Sequence, residues 1–449
     1  MILALTEGIL LFAAACGMIL AWGRPLSTEW DVLMVVLQGA VPAFCCIVAF
    51  YYNDLYDLRI VRTFGEFASR LLQSFGVALI LLAAFYTFFR DMRISQGPLL
   101  SSLLIIVGLL VPLRAAGYSV MRRRAFADRV LILGTGPLAR TLVQEIEAQP
   151  NYRYTIVAVV GEAAGGDEAP LPYPLAGPLE RLDKVIEELH PDRIIVALTE
   201  RRGRMPMRQL LEAEAHGVLV EDGVATYENL TGKLAIETLT PSFLIFSGAF
   251  RKSRFLLTAR RAVSLLAAAV GLVAAAPLML LIAAAIKLDS GSPIFFLDER
   301  AGRGGRPFLL IKFRTMRDQT AGDSHSVWHR DDSIRVTRIG RWIRKLRLDE
   351  LPQFWNILKG DMDLVGPRPE MLRNVKTMSE QIPYYALRHV VRPGLTGWAQ
   401  VRYGYSLSLE QVTEKMRHDL FYIKHLSLWF DLRILVDTVK IVLFGRGAR

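Results

Sequence analysis

The chain has 449 residues, 52% of them hydrophobic, and a formal net charge of +11. So apolar a composition excludes an ordinary soluble protein and calls for membrane segments, and the length allows about two or three domains of roughly 150 residues. The basic balance suits anionic partners, namely lipid headgroups, phosphorylated substrates or nucleic acid.

Four apolar stretches near Leu3–Trp22, Val32–Tyr52, Leu71–Phe89 and Leu99–Ser119 are long enough to cross a bilayer, which takes about 20 residues. The first lacks both an N-terminal basic cluster and a clear small-residue cleavage site, so it reads as a retained helix. Cys16, Cys45 and Cys46 lie inside these runs without C-x-x-C spacing and support neither a disulfide framework nor a zinc site. Arg59, Arg62 and Arg70 follow the second stretch, and Arg122, Arg123, Arg124 and Arg129 follow the fourth, against Arg24 alone after the first. The third connection, with Arg90 and Arg93, is weaker. This asymmetry places the second connection and everything after Arg122 in the cytoplasm.

Residues 122–248 read as a Rossmann-like α/β domain. A β-branched run, Val130–Leu133, leads into Gly134-x-Gly136-x-x-Ala139, an amphipathic helix and a second strand, Tyr154–Val160. A helix at Leu179–Leu189 and strands in Pro191–Glu200 and Gly217–Asp222 continue the pattern. Gly134 and Gly136 are candidate cofactor contacts, with Glu162 near the place of a ribose-binding acid; a purely structural glycine turn is the competing reading. A further apolar run, Ala262–Ile286, carries no charge, is flanked by Arg260, Arg261 and Lys287, and contains Pro277. A fifth span would put the Arg-rich remainder outside the cell. A re-entrant hairpin bent at Pro277 keeps it inside.

Between Arg300 and Arg347 there are thirteen Lys and Arg against four Asp and Glu. Gly302, Gly304 and Gly305 permit tight backbone approach, and Lys312 and Arg314 are candidate phosphate contacts, with a basic face resting on anionic lipid as the alternative. Nucleic acid is disfavoured because no recognised module is present and aromatic residues do not interleave with the basic ones. The segment RLDELPQFWNILKGDMDLVGPRPE, Arg347–Glu370, sets Asp349 and Glu350 before a helix with Leu351, Phe354, Trp355 and Leu358 on one face and Gly360 at its end. Asp349 reads as an N-cap or, ionised near the helix dipole, as a nucleophile towards phosphorus. Arg368, held extended by Pro369, suits a phosphate clamp. Val391–Val401 is a turn-rich loop, and Lys415–Leu435 is amphipathic with Asp419 near its start. Trp398 and Trp429 read as core aromatics.

SGSPIFFLDERAGRGGRPFLLIKFRTM, the Asp-Glu segment, VRPGLTGWAQVRYGY and KMRHDLFYIKHLSLWFDLRIL together resemble the bacterial sugar transferases, the polyprenol-phosphate phosphoglycosyltransferase family. The resemblance is to the large exopolysaccharide-initiating type and is specific over about residues 251–449, looser before. It implies a mainly helical catalytic domain, 249–449, with a re-entrant membrane helix at about 262–286, behind a four-helix transmembrane region, 1–121, and the α/β domain. It implies transfer of sugar-1-phosphate from a UDP-sugar to undecaprenyl phosphate in the bacterial inner membrane, with Mg²⁺. Asp349 falls on the nucleophile and is also a candidate metal ligand, and Glu350 falls on its partner; Arg368 falls on the phosphate-binding arginine and Asp419 on a further functional acid. The chain departs from the family at Ala276-Pro277 for Ser-Pro, at Ser264 for an acid, and at Asp298 for Gln. A membrane-anchored NAD-dependent dehydratase or epimerase would need Tyr-x-x-x-Lys, and no tyrosine here has lysine four residues on. A non-catalytic assembly scaffold would not need the acid pair. A homodimer is expected, since the extra α/β domain has no other evident task.

Overall fold

The computed structural model describes residues 2–22, 28–53, 55–56, 64–121, 127–148, 154–161, 171–198, 205–236, 239, 246, 248, 250–317, 336–403 and 408–444. Arg24, Arg59, Arg62, Arg122, Arg123, Arg124 and Glu162 lie outside them. The chain forms two compact units, Met1–Glu221 and Asp222–Arg449.

The first unit opens with four apolar helices: α1 (Ile2–Ala21), α2 (Glu29–Tyr52), α3 (Phe64–Phe88) and α4 (Gln96–Met121). The stretches Glu29–Tyr52, Phe67–Phe88 and Gln96–Arg114 are long and apolar enough to cross a membrane, whereas the described part of α1, Thr6–Ala21, is shorter. Thr28 and Asp31 start α2 with reciprocal side-chain-to-backbone bonds. Glu7 of α1 and Arg114 of α4, both buried, form a paired contact at 2.5 and 3.0 Å. Each charge offsets the other's desolvation, and the pair fastens two helices together.

A parallel sheet follows. β1 (Asp128–Leu133) lies between β2 (Tyr154–Val160) and β3 (Arg193–Val196), with β4 (Leu219–Asp222) beyond β3. The helices α5 (Pro137–Ala148), α6 (Leu182–Leu189) and α7 (Met207–Ala215) connect the strands. Leu131, Leu133, Val160, Ile194 and Val196 are buried, as strands covered on both faces require.

The second unit begins with α8 (Gly223–Thr231). Trp398 Nε1 donates to the Gly232 carbonyl at 2.8 Å, and Lys424 pairs with Glu228 at 2.7 Å. This segment, which sequence assigned with the α/β domain, therefore packs within the second unit. Next comes the 37-residue α9 (Arg254–Ser290), in which helix continues through Pro277. The antiparallel hairpin β5 (Phe295–Ala301) and β6 (Pro307–Phe313) leads to α10 (Arg338–Lys345) and α11 (Gln353–Lys359). β7 (Asp363–Val365) pairs in parallel with β8 (Gly394–Thr396), and α12 (Leu372–Gln381) lies between them in sequence. The chain closes with α13 (Trp398–Arg402), α14 (Leu409–Lys424) and α15 (Leu428–Phe444).

The core of this unit gathers Val365, Tyr385, Trp398, Leu420, Tyr422 and Ile434. Trp398 is thus a core aromatic as expected, while Trp429 is 69% exposed and is not. The early half of α9 is pinned by Arg260 to Asp431 at 2.6 Å and by Arg261 to Asp363 at 3.0 Å. Ser264, at the position of the family's acid, accepts from the Leu364 N–H at 3.1 Å. Ala268 packs against Ile357 and Met362, and farther along Ile282 and Ile286 pack against Phe313 and Ile343.

Candidate active site

The acid pair occupies a 3₁₀ turn, Leu348–Glu350, entered through Arg347 in the left-handed region at φ 57. A non-glycine residue there costs on the order of 1 kcal/mol and is held by its surroundings. The sequence placed Asp349 at the N-terminus of the following helix. The structure corrects this: α11 starts at Gln353, its N-cap is Pro352 without a side-chain bond, and the acids sit a turn earlier. Neither capping nor the helix dipole therefore sets the state of Asp349. On α11, Phe354 and Leu358 pack inward, whereas Trp355 is 55% exposed rather than part of the buried face.

Three distant segments meet at the turn. Lys312 of β6 and Arg368 each donate to Glu350 Oε1 at 3.1 Å. The Arg368 segment is held by backbone contacts between the loops after β7 and before β8: Gly394 N–H donates to the Pro367 carbonyl at 2.9 Å. A Cβ on Gly394 would collide with the backbone of Gly366, so this approach requires glycine.

The two carboxyls are electrostatically unlike. Burial alone would raise Glu350, but Arg368 and Lys312 outweigh it and hold the acid down at about 2. Burial raises Asp349, the charge of Glu350 adds to the rise, and Lys312 only partly opposes it. Among the described residues, no side chain hydrogen-bonds Asp349. One acid is fixed by two cations and ionised; its neighbour has no side-chain hydrogen bond among the described residues.

Asp419 does not touch the pair. It is buried and accepts from Arg388 at 2.8 Å. Arg388 in turn donates to the Tyr385 hydroxyl at 2.6 Å and to the Arg368 carbonyl at 3.1 Å. Asp419 thus orders Arg368 through Arg388, a residue the sequence reading missed. Its one trace in sequence was a cation among apolar neighbours that would need an acid once buried. Lys415, also missed, stands four residues before Asp419 and hence on the same helical face. Burial, together with the charge of Arg388, lowers it to about 8.

Arg314 is placed elsewhere. Its guanidinium donates to the carbonyls of Ser290, Gly291 and Ser292 at 2.6, 2.8 and 2.9 Å, and so caps the C-terminus of α9 instead of facing the acid pair. Gly134 and Gly136 lie in the β1–α5 turn of the first unit. Gly134 has φ +118, and a Cβ there would stand 2.6 Å from the Ala197 carbonyl, so the fold itself demands glycine. No group of three or more His, Cys, Asp or Glu gathers as a metal site among the described residues.

The bacterial sugar transferase model matches residues 255–445, and a CoA-binding domain model matches 52–218. A UDP-N-acetylgalactosamine-undecaprenyl-phosphate N-acetylgalactosaminephosphotransferase of Aeromonas hydrophila is 44% identical over 49% of this chain and 52% of its own. An undecaprenyl-phosphate glucose phosphotransferase of Komagataeibacter xylinus is 33% identical over 77% of this chain and 65% of its own. The chain thus spans between half and two thirds of the length of these two relatives. A UDP-glucose:undecaprenyl-phosphate glucose-1-phosphate transferase of Escherichia coli K12 is 30% identical over 86% of this chain and 84% of its own. The chain belongs to the bacterial sugar transferase family.

Proposed function

We propose that this member of the bacterial sugar transferase family moves sugar-1-phosphate from a UDP-sugar to undecaprenyl phosphate. The products are UMP and undecaprenyl-diphosphate-sugar, the starting unit of an exopolysaccharide or related glycan. The observation that carries this reading is the unequal acid pair: Glu350 is bound by Lys312 and Arg368, and Asp349 beside it has no side-chain hydrogen bond among the described residues.

In this reading an Asp349 oxygen attacks the donor's β-phosphorus. The bond from that phosphorus to the bridging oxygen breaks, and UMP leaves with the electron pair. An oxygen of the lipid phosphate then attacks the phosphosugar phosphorus and releases the Asp349 carboxylate. Lys312 and Arg368 offset the charge of the incoming phosphates, which otherwise repel an anionic nucleophile. Mg²⁺ commonly takes one or two carboxylates and completes its shell with substrate phosphates and water, a set that Asp349 with the donor diphosphate fits. When bound there, the ion would neutralise diphosphate charge.

We place residues 1–121 and a re-entrant α9 in the bacterial inner membrane, with the α/β region 122–248 and the catalytic region 249–449 on the cytoplasmic face. A re-entrant path needs a bend within α9, and Pro277, whose ring removes one helix hydrogen bond, is where it would fall, although helix continues on both sides of it. Both halves of α9 rest on one compact unit, which supports entry and exit on the same side. A homodimer completes the reading; only monomer by mass measurement in nanodiscs would remove it.

The test uses purified enzyme in nanodiscs with Mg²⁺, undecaprenyl phosphate and a panel of UDP-sugars. UMP release with one sugar, abolished in Asp349→Asn, is the expected result. Full activity in that variant would overturn the nucleophile, and no release from folded wild type would overturn the transferase reading.

A further inference from the structure

Beside the acid pair lies a cavity of about 310 Å³, lined in part by Arg347 and Glu350 of the 3₁₀ turn. The rest of its wall is mainly hydrocarbon: Leu346, Leu351 and Phe354 from one stretch, and Leu435, Ile441 and Val442 of α15 from another. Two of its few polar groups, Thr396 and Thr438, bond each other at 2.6 Å. Gln400 keeps a buried Oε1 without a partner, but beyond it, Arg347 and Glu350 most polar atoms of a sugar or a nucleobase would face hydrocarbon. A hydrocarbon ligand has no such atoms.

We infer that this cavity holds the first isoprene units of the polyprenyl phosphate acceptor, with the phosphate end turned towards Glu350 and its cations. The inference rests on the transferase reading and adds where the acceptor lies. Three observations carry it. First, charge complementarity: one ligand with an anionic head and an apolar body matches a cavity bordered by Arg347 and continued by the Lys312 and Arg368 cluster. Second, access: α10 bears Arg338, Arg341, Arg344 and Lys345, and its Trp342 is 66% exposed. A basic helix presenting tryptophan suits an anionic bilayer surface. Third, continuity: Leu346, the residue after that helix, is 51% exposed and also lines the cavity, as does Val442, 43% exposed on α15. The apolar lining therefore runs out to surface that faces lipid in the proposed orientation. The cavity is far too small for the whole chain, whose remainder stays in the bilayer.

The experiment uses the full-length enzyme in phosphatidylethanolamine–phosphatidylglycerol nanodiscs. Val442→Trp obstructs the mouth and Leu346→Asp places a charge on the path; Leu432→Trp, on α15 but not in the lining, is the control. UMP release is followed against undecaprenyl phosphate concentration and, without acceptor, as a single turnover on excess enzyme. The two lining variants are expected to raise the acceptor KM at least about 10-fold, the loss of roughly two buried methylenes. Their acceptor-free UMP burst should persist, and the control should match wild type. Acceptor KM values within about twofold of wild type in both variants overturn the inference.

Should a variant not fold, wild type is photolabelled with a polyprenyl phosphate carrying a diazirine on its first isoprene unit. Label in residues 346–354 or 435–442 is expected. Label confined to residues 2–121, or equal label from a diazirine phosphatidylglycerol, overturns the cavity. If wild type releases no UMP under any condition, it is the transferase reading that fails, while the photolabel still decides the cavity.

Discussion

Asp349→Asn and Glu350→Gln should have the same effect on activity and opposite effects on stability. Glu350 falls from an ordinary 4.5 to about 2 in the fold. That difference is about 2.5, and at about 1.4 kcal/mol per unit it corresponds to roughly 3 kcal/mol. Because this pKa is depressed, the stabilisation is present above about 4.5 and is lost as pH falls through about 2. Glu350→Gln removes it and leaves Lys312 and Arg368 without their carboxylate, a loss of about 3–5 kcal/mol for a broken buried pair. Asp349 is the reverse case. Its pKa is raised by burial and by Glu350, so its ionised form weakens the fold at neutral pH. That penalty is absent well below the ordinary value of 3.8 and complete once pH exceeds the raised value. Asp349→Asn should therefore raise the unfolding midpoint at pH 7, with the gain shrinking as pH drops towards about 4. The assay is tryptophan-monitored thermal unfolding in nanodiscs, with UMP release on the same samples. If Asn at 349 lowers the midpoint as far as Gln at 350 does, the asymmetry claimed for the pair is wrong.

Three other substitutions probe the surrounding groups. Arg388→Gln should lower the unfolding midpoint by leaving Asp419 buried and unpaired, about 3–5 kcal/mol by calorimetry, and should raise the donor KM because Arg368 loses its backbone support; an unchanged donor KM would break the link to Arg368. Arg314→Ala should destabilise by uncovering three carbonyls at the end of α9 while folded enzyme keeps its ordinary substrate KM, measured by UMP release. Lys415, lowered to about 8 by burial and Arg388, with Glu370 and Asp419 opposing and Arg368 adding, loses its charge above that pH. An alkaline fall in kcat/KM near pH 8 should flatten in Lys415→Gln, and an identical profile would show that the Lys415 charge does not act on the reaction.

Long, one-signal features were legible in the sequence. The four apolar helices follow from runs of hydrocarbon, and the parallel sheet from β-branched runs spaced by helices. Both signals are local, so no tertiary knowledge was needed. The site's members were legible one by one, as an acid pair, a proline-held arginine and a basic strand, but their meeting was not, because they lie far apart: Lys312 and Arg368 stand 38 and 18 residues from Glu350. The resemblance assigned Asp349 and Glu350 different roles, but the physical cause of the difference was not legible. Two adjacent acids share a sequence context, and only burial and the direction of incoming cations distinguish them. Arg314 shows the complementary error, since a basic residue next to a motif can as readily cap a helix as hold a phosphate.

Membrane association also alters what apolar spacing means. In a soluble chain a tryptophan at helical spacing points to the core, and that logic placed Trp398 correctly but not Trp355 or Trp429, at 55% and 69% exposed. A helix beside lipid has two apolar environments, protein and hydrocarbon, and sequence periodicity does not tell them apart. α9 makes the point most fully: Ala268, Ile282 and Ile286 are buried, yet Leu266, Val273, Leu280 and Leu281 on the same helix are 68–76% exposed. Hydrocarbon on both sides of one helix is consistent with a protein-facing stripe and a lipid-facing one. It follows that a charge introduced at Val273, outside every buried cluster, should impair membrane extraction behaviour rather than catalytic geometry, whereas the same charge at Ala268 should disrupt packing on Ile357. Comparing Val273→Lys with Ala268→Lys for carbonate extraction and for UMP release in detergent separates the two faces. Loss of activity in detergent from Val273→Lys alone would mean that the exposed stripe is not a lipid face.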